Sequence, residues 1–212
     1  MPAELRKTFH RDLADIERSA TLLFALVAEG LSGATEAFLS GDHDEAVKLA
    51  QQDVVVDRVY ADVEAVVERQ FSLQSPTASD LRFLLAMLRI LPELERSGDL
   101  TAHIASRAAR GIGSELTPRA RLLVQRMGEV GVSMWRSTAD AFAQRDGEAA
   151  ERLREDDDEL DDLHSSLTGE LAAHPMSAPI MMEMALVARF YERLGDHAVN
   201  IAERIRRFAP PS

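Results

Sequence analysis

From Phe9 to Phe38 an apolar residue recurs at every third or fourth position: Phe9, Leu13, Ile16, Ala20, Leu23, Val27, Leu31, Ala34 and Phe38. That spacing is the period of an α-helix with one buried face, and it excludes a strand, whose period is two. The same period returns along the rest of the chain. Ala46, Leu49, Val56, Tyr60, Val63 and Val67 mark a second helix, and Leu81, Leu84, Leu88, Leu91, Ala102 and Ala105 a third, with Pro92 expected to kink it. Three more follow, on the stripes Leu123–Met127–Val130–Met134–Ala141, Leu153–Leu160–Leu167–Leu171 and Met184–Val187–Tyr191–Leu194–Ala198–Ile201–Ile205. Gly41-Asp42, Pro76, Gly111-Ile112-Gly113, Asp146-Gly147 and Pro179 fall at the breaks. The expected fold is all-α, with six helices.

The two halves repeat. An offset of 104 carries Phe38 onto Phe142, Asp42 onto Asp146, Leu49 onto Leu153, Asp53 onto Asp157 and Asp57 onto Asp161. An offset of 97 carries Glu95-Arg96-Ser97-Gly98-Asp99 onto Glu192-Arg193-Leu194-Gly195-Asp196, and Ile104-Ala105 onto Ile201-Ala202. The seven-residue difference falls in the linker near Pro76, where length is tolerated. The expected architecture is two tandem three-helix bundles, residues 1–113 and 114–212.

Charge narrows the function. The chain has 36 acidic residues against 24 Lys and Arg, a formal net charge of −12, which argues against nucleic-acid binding. No Cys is present, so disulfides, thiolate metal sites and a Cys nucleophile are excluded. The charge-free apolar stretch Ser19 to Ala28 is too short to span a bilayer, and the charged N-terminus does not read as a signal peptide. A soluble, cytoplasmic protein is expected, with membrane contact only through partners. No nucleophilic triad, Walker loop or dinucleotide fingerprint is visible, so none of those activities is indicated.

The acids are not placed as a solvated face would place them. Asp53 falls between Leu49 and Val56 on the apolar stripe, and Asp157 between Leu153 and Leu160; Glu95 and Glu192 interrupt the stripes of the third and last helices. Each has a second carboxylate four residues on, at Asp57, Asp161, Asp99 and Asp196, on the same helix face. Burying like-charged carboxylates costs several kcal/mol unless something compensates. The face could be solvated, Arg96 and Arg193 could pair with the acids, or cations could bind. All-oxygen donors suit hard cations: iron, manganese, magnesium or calcium. Gly98 and Gly195 sit mid-helix in both units, making room either for a cluster or for a neighbouring helix. His103, His164 and His197 read first as ordinary surface or satisfied histidines, and no Glu-x-x-His occurs. Trp135 and the methionines at 176, 181, 182 and 184 read as core or interface.

The tandem repeat and the paired segments Glu95–Asp99 and Glu192–Glu203 resemble the PhoU family of phosphate-specific transport accessory proteins, over roughly residues 5–208. The resemblance implies a non-enzymatic, cytoplasmic negative regulator of phosphate uptake and of the phosphate-starvation response. It implies an adaptor between the phosphate ABC transporter and its sensor histidine kinase, often a homodimer. It also implies bound metal cations, iron or others such as zinc, at Asp53, Asp57, Glu95, Asp99, Asp157, Asp161, Glu192 and Asp196. His103 stands where the second half has Asn200, so the first site could differ and the second is the safer expectation. The competing readings are a carboxylate-bridged metal enzyme and a bundle held by salt-bridged acids.

Overall fold

The computed structural model describes residues 3–73, 77–174 and 176–209, with side chains from residue 7 and not at 72–73. Among these the chain forms α1 (Ala3–Ser40), α2 (His43–Ala50), α3 (Asp53–Leu73), α4 (Ala78–Ala109), a 3-10 turn (Ile112–Glu115), α5 (Pro118–Gln144), α6 (Ala149–Ala173) and α7 (Ala178–Ile205), with no strand. The six-helix plan holds, with the second helix in two pieces. The amides of Gln51 and Gln52 bond back three residues, to the Lys48 and Leu49 carbonyls, closing α2 in a tighter turn. The β-branched run Val54-Val55-Val56 disfavours continuing through it, whereas Asp53 suits a helix start. The repeat-equivalent stretch of α6 is uninterrupted.

Local chemistry sets the ends. The Asp42 carboxylate accepts from the Glu45 amide at 3.0 Å to cap α2, and Thr77 and Asp80 form a capping box on α4. Thr117 caps α5, with Pro118 in the first turn. Gly111 takes a left-handed φ of 72°, open to glycine without strain, and so turns the chain out of α4. α4 continues on both sides of Pro92. The expected break at Pro76 lies outside the described residues.

α1 packs on α2, α3 and α4, and α5 packs on α6 and α7, giving the two three-helix units. The units join through their equivalent helices, α1 on α5 and α4 on α7. Trp135, Tyr191, Phe24, Phe38 and Phe142 are fully buried. The Tyr191 hydroxyl lies 2.8 Å from Thr35 Oγ1, a buried bond across the repeat boundary. The segment Lys7–Ser40 is long and apolar enough to cross a membrane by length and composition, but over half of its most apolar window is buried against other helices. Leu81 and Leu88, expected in the core, are 37% exposed on the outer side of α4.

Candidate metal centre

In the first unit the carboxylates come from two antiparallel helices. Asp53 and Asp57 lie one turn apart at the start of α3, and Glu95 and Asp99 one turn apart in the middle of α4. One oxygen from each of Asp53, Asp57 and Asp99 lies within 4.8 Å of the others. Asp53 is partly buried, and its Oδ1 is buried without a hydrogen-bond partner. Burial pushes the Asp53 carboxyl up to about 6, helped by the adjacent charge and hydrogen bond of Asp99 and by Asp57 and Glu95. Glu95 is raised by burial and then by Asp99 and Asp57, with Arg96 opposing.

In the second unit the equivalent carboxylates lie on α6 and α7. Burial pushes Asp157 up to about 6, and Asp196, Asp161, Glu192 and Asp158 add to the shift in that order. Glu192 is raised by burial and Asp196, with Arg189 opposing. Its Oε2 is buried and unpartnered, while its Oε1 accepts from Arg189 Nη1. Of the eight sequence-predicted carboxylates, Asp53, Asp57 and Asp99 have oxygens within 4.8 Å of one another; Glu95 in the first unit, and Asp157 and Glu192 in the second, are raised by burial and by their carboxylate neighbours. The group with oxygens within 4.8 Å of one another is in the first unit.

Among the described residues the arginines of the repeated segment form no ion pair with these carboxylates. Arg96 reaches Glu93 at 4.0 Å instead, and Arg193 has no ion pair among the described residues. Arg189 does reach Glu192; its position three residues earlier on the same face was the available signal. The two glycines differ. A Cβ on Gly98 would meet Val56 Cγ1 at 2.8 Å, so this glycine admits the neighbouring helix. A Cβ on Gly195 would meet Asp157 Oδ1 at 2.5 Å, so this one makes room for a carboxylate of the cluster. His103 lies against the Phe190 ring, with centroids 5.5 Å apart, on the α7 side of α4. His197 is buried between α4 and α7. Ser97 Oγ donates to the Glu93 carbonyl at 2.6 Å, so the His197 Nδ1–H donates to that Oγ at 2.9 Å.

The Asp53, Asp57 and Asp99 oxygens on facing helices, with Asp53 Oδ1 buried and unpartnered and the Asp53 and Glu95 carboxyls raised by burial and their neighbours, fit an oxygen-ligated hard cation. A cation there would supply positive charge to groups that otherwise repel. The donor set has neither sulfur nor imidazole, which suits iron, manganese or magnesium better than zinc.

Fold and site together define a class: tandem three-helix bundles with paired carboxylates on facing helices, clustered in the first unit. The PhoU domain matches residues 20–108 and again 124–205. The chain belongs to the PhoU family. It is 30% identical over 210 residues to the phosphate-specific transport system accessory protein PhoU homolog 2 of Mycobacterium tuberculosis, covering 95% of this chain and 96% of that one. It is 28% identical over 207 residues to the PhoU homolog of Rhizobium meliloti, covering 96% and 87%. The crystal structure of PhoU from Pseudomonas aeruginosa superposes with a TM-score of 0.86 at 26% identity, covering 94% of this chain and 98% of that one. The phosphate transport system regulatory protein PhoU of Streptococcus pneumoniae gives 0.85 at 27% identity, covering 94% and 96%.

Proposed function

We propose that this protein is a cytoplasmic negative regulator of phosphate uptake and of the phosphate-starvation response. It acts as an adaptor between the phosphate ABC transporter and its sensor histidine kinase, and not as an enzyme. The observation that carries this reading is the PhoU match in both repeats, over nearly the whole length of accessory proteins named for phosphate-specific transport. In this reading the repeats divide at residues 113 and 114, the functional unit is a homodimer, and both carboxylate clusters hold cations that shape a docking face. Deleting the gene is expected to derepress phosphate uptake and a starvation reporter in phosphate-rich medium. Uptake and reporter expression at wild-type levels, with any paralogue also deleted, would remove the regulatory reading. Elemental analysis of the protein tests the cation role separately: Asp157→Asn with Asp161→Asn should lower its metal content, and an unchanged content would eliminate the second site.

A further inference from the structure

The repeat supplies an internal control for a surface at one end of the α4–α7 seam. Where the end of α4 meets the start of α7, two arginines are held by one carboxylate. Arg107 Nε donates to Glu183 Oε2 at 3.1 Å, and Arg110 Nη2 to Glu183 Oε1 at 2.6 Å. The Arg107 guanidinium also lies over the Phe190 ring, 4.9 Å from its centroid. This end is closed on itself.

The offset of 97 carries Arg107 and Arg110 onto Arg204 and Arg207, at the opposite end of the seam. There the end of α7 meets the start of α4, as the Phe83–Phe208 ring pair shows, with centroids 5.5 Å apart. The position equivalent to Glu183 is Ala86, and the position equivalent to Phe190 is Glu93. Glu93 is turned elsewhere, to Arg96 at 4.0 Å and His197 at 3.7 Å. Among the described residues the guanidiniums of Arg204 and Arg207 have no ion pair and no hydrogen bond, and the same holds for Arg82 and Arg89 on the first turns of α4. Four unpaired arginines thus share one end of a chain whose net charge is −12. Beside them Leu81, Leu85 and Leu88 are 37%, 44% and 37% exposed, one ridge at the i, i+4, i+7 spacing of a helix.

We propose that this end of the α4–α7 seam docks an acidic amphipathic helix of a protein partner, whose carboxylates pair with Arg204 and Arg207 as Glu183 pairs with Arg107 and Arg110 at the other end. Charge complementarity selects the acid, because the same pair of arginines is already satisfied by a carboxylate where the chain provides one. The leucine ridge selects a helix, which lays apolar residues of matching period along it. A bilayer fits less well. It would press against the carboxylates of Asp57 and Asp99 along the same side of α4, whereas a helix about 10 Å wide can pass them. The inference gives the adaptor reading a contact surface and rests on that reading only for the partner's biological identity. Its test uses neither transporter nor kinase, so the two fail separately.

The probe is a labelled synthetic helix of about 18 residues, five turns long, with Leu along one stripe and Glu on both flanks. Fluorescence anisotropy should show salt-sensitive binding, weakened about tenfold or more by Arg204→Gln with Arg207→Gln. Ala86→Glu, which restores the missing internal carboxylate, should weaken it similarly. A Lys-flanked version of the peptide should bind Arg204→Glu with Arg207→Glu but not the unaltered protein, a reversal that a merely structural role would not produce. Circular dichroism checks that each variant is folded, and the glutamine pair carries the test should Ala86→Glu not fold. Equal affinity for the unaltered and glutamine-pair proteins overturns the proposal. So does the absence of peptide binding, or binding only to vesicles of phosphatidylglycerol and phosphatidylcholine.

Discussion

Adding Mn2+ to chelator-stripped protein near neutral pH is expected to raise the midpoint of thermal unfolding by roughly 10–20 °C. Saturating one site at a hundred times its Kd stabilises the fold by about 2.7 kcal/mol, and two sites by about twice that. For a chain of this size each kcal/mol moves the midpoint by about 2–4 °C. The gain should also depend on pH in a defined direction. Without cations, Asp53 and Asp157 hold their protons up to about pH 6 in the folded state, against the ordinary value of 3.8. The folded state therefore binds protons more tightly than the unfolded one. The stability these two groups contribute is fully present below 3.8, falls as pH rises towards 6, and is gone above that. A cation reverses the trend, because it competes with those protons and binds better as they leave. Asp53→Asn with Asp157→Asn should flatten the fall between pH 4 and 6 and abolish most of the Mn2+ shift. Calorimetry across that range checks both. A midpoint that ignores Mn2+, Fe2+ and Mg2+ alike would sink the cation reading, as would an equal shift in the double variant.

The pairing of carboxylates along each helix was legible in the sequence because the i, i+4 rule is local. Once a helix is recognised, Asp53 and Asp57 must share a face, and the repeat transfers the argument to Asp157 and Asp161. What stayed hidden depends on neighbours. Period places Leu81 and Leu88 on a stripe but does not say which part of the helix another element covers, and among the described residues none covers the outer side of α4 there. The break at Gln51 and Gln52 was hidden for another reason: three valines in a row fit the apolar stripe of a helix as well as they disfavour its continuation. The Ser97–His197 contact is a pairing between repeats, at positions where the repeat itself offers Leu194 and Leu100, so internal symmetry concealed it. The arginines of the motif were candidates to pair with the acids, yet among the described residues the ion pair is made by Arg189, to Glu192. Which cation reaches a carboxylate depends on rotamer and on the adjacent helix, neither of which is written in spacing.

The glycine pair gives the sharpest contrast between equivalent positions. Gly195→Ala is expected to weaken cation binding in the second unit about tenfold or more, while Gly98→Ala leaves the first unit's affinity within about twofold. At Gly195 the added methyl would lie 2.5 Å from Asp157 Oδ1 and 2.8 Å from Leu160 Cδ1. Leu160 can yield at its tip, but a carboxylate on a short side chain can yield only by rotating away from Asp161, Glu192 and Asp196. Stability without cations should change little, because leaving the cluster also relieves like-charge repulsion and Ala favours the helix over Gly by about 1 kcal/mol. At Gly98 the methyl would meet Val56 Cγ1, Cγ2 and Cβ at 2.8, 3.2 and 3.3 Å. A β-branched side chain has no free tip to move, so α3 and α4 must part slightly. Overpacking of this kind costs about 1–3 kcal/mol, and the helix gain offsets part of it. No carboxylate oxygen is among the three nearest atoms at that position, so the first cluster keeps its geometry. Each affinity is read by Mn2+ titration with the other unit silenced, by Asp53→Asn with Asp57→Asn or by Asp157→Asn with Asp161→Asn. If both alanines weakened binding equally, the second glycine would be no more than a packing residue. If only Gly98→Ala did so, the assignment of Asp157 to the cation site would be wrong.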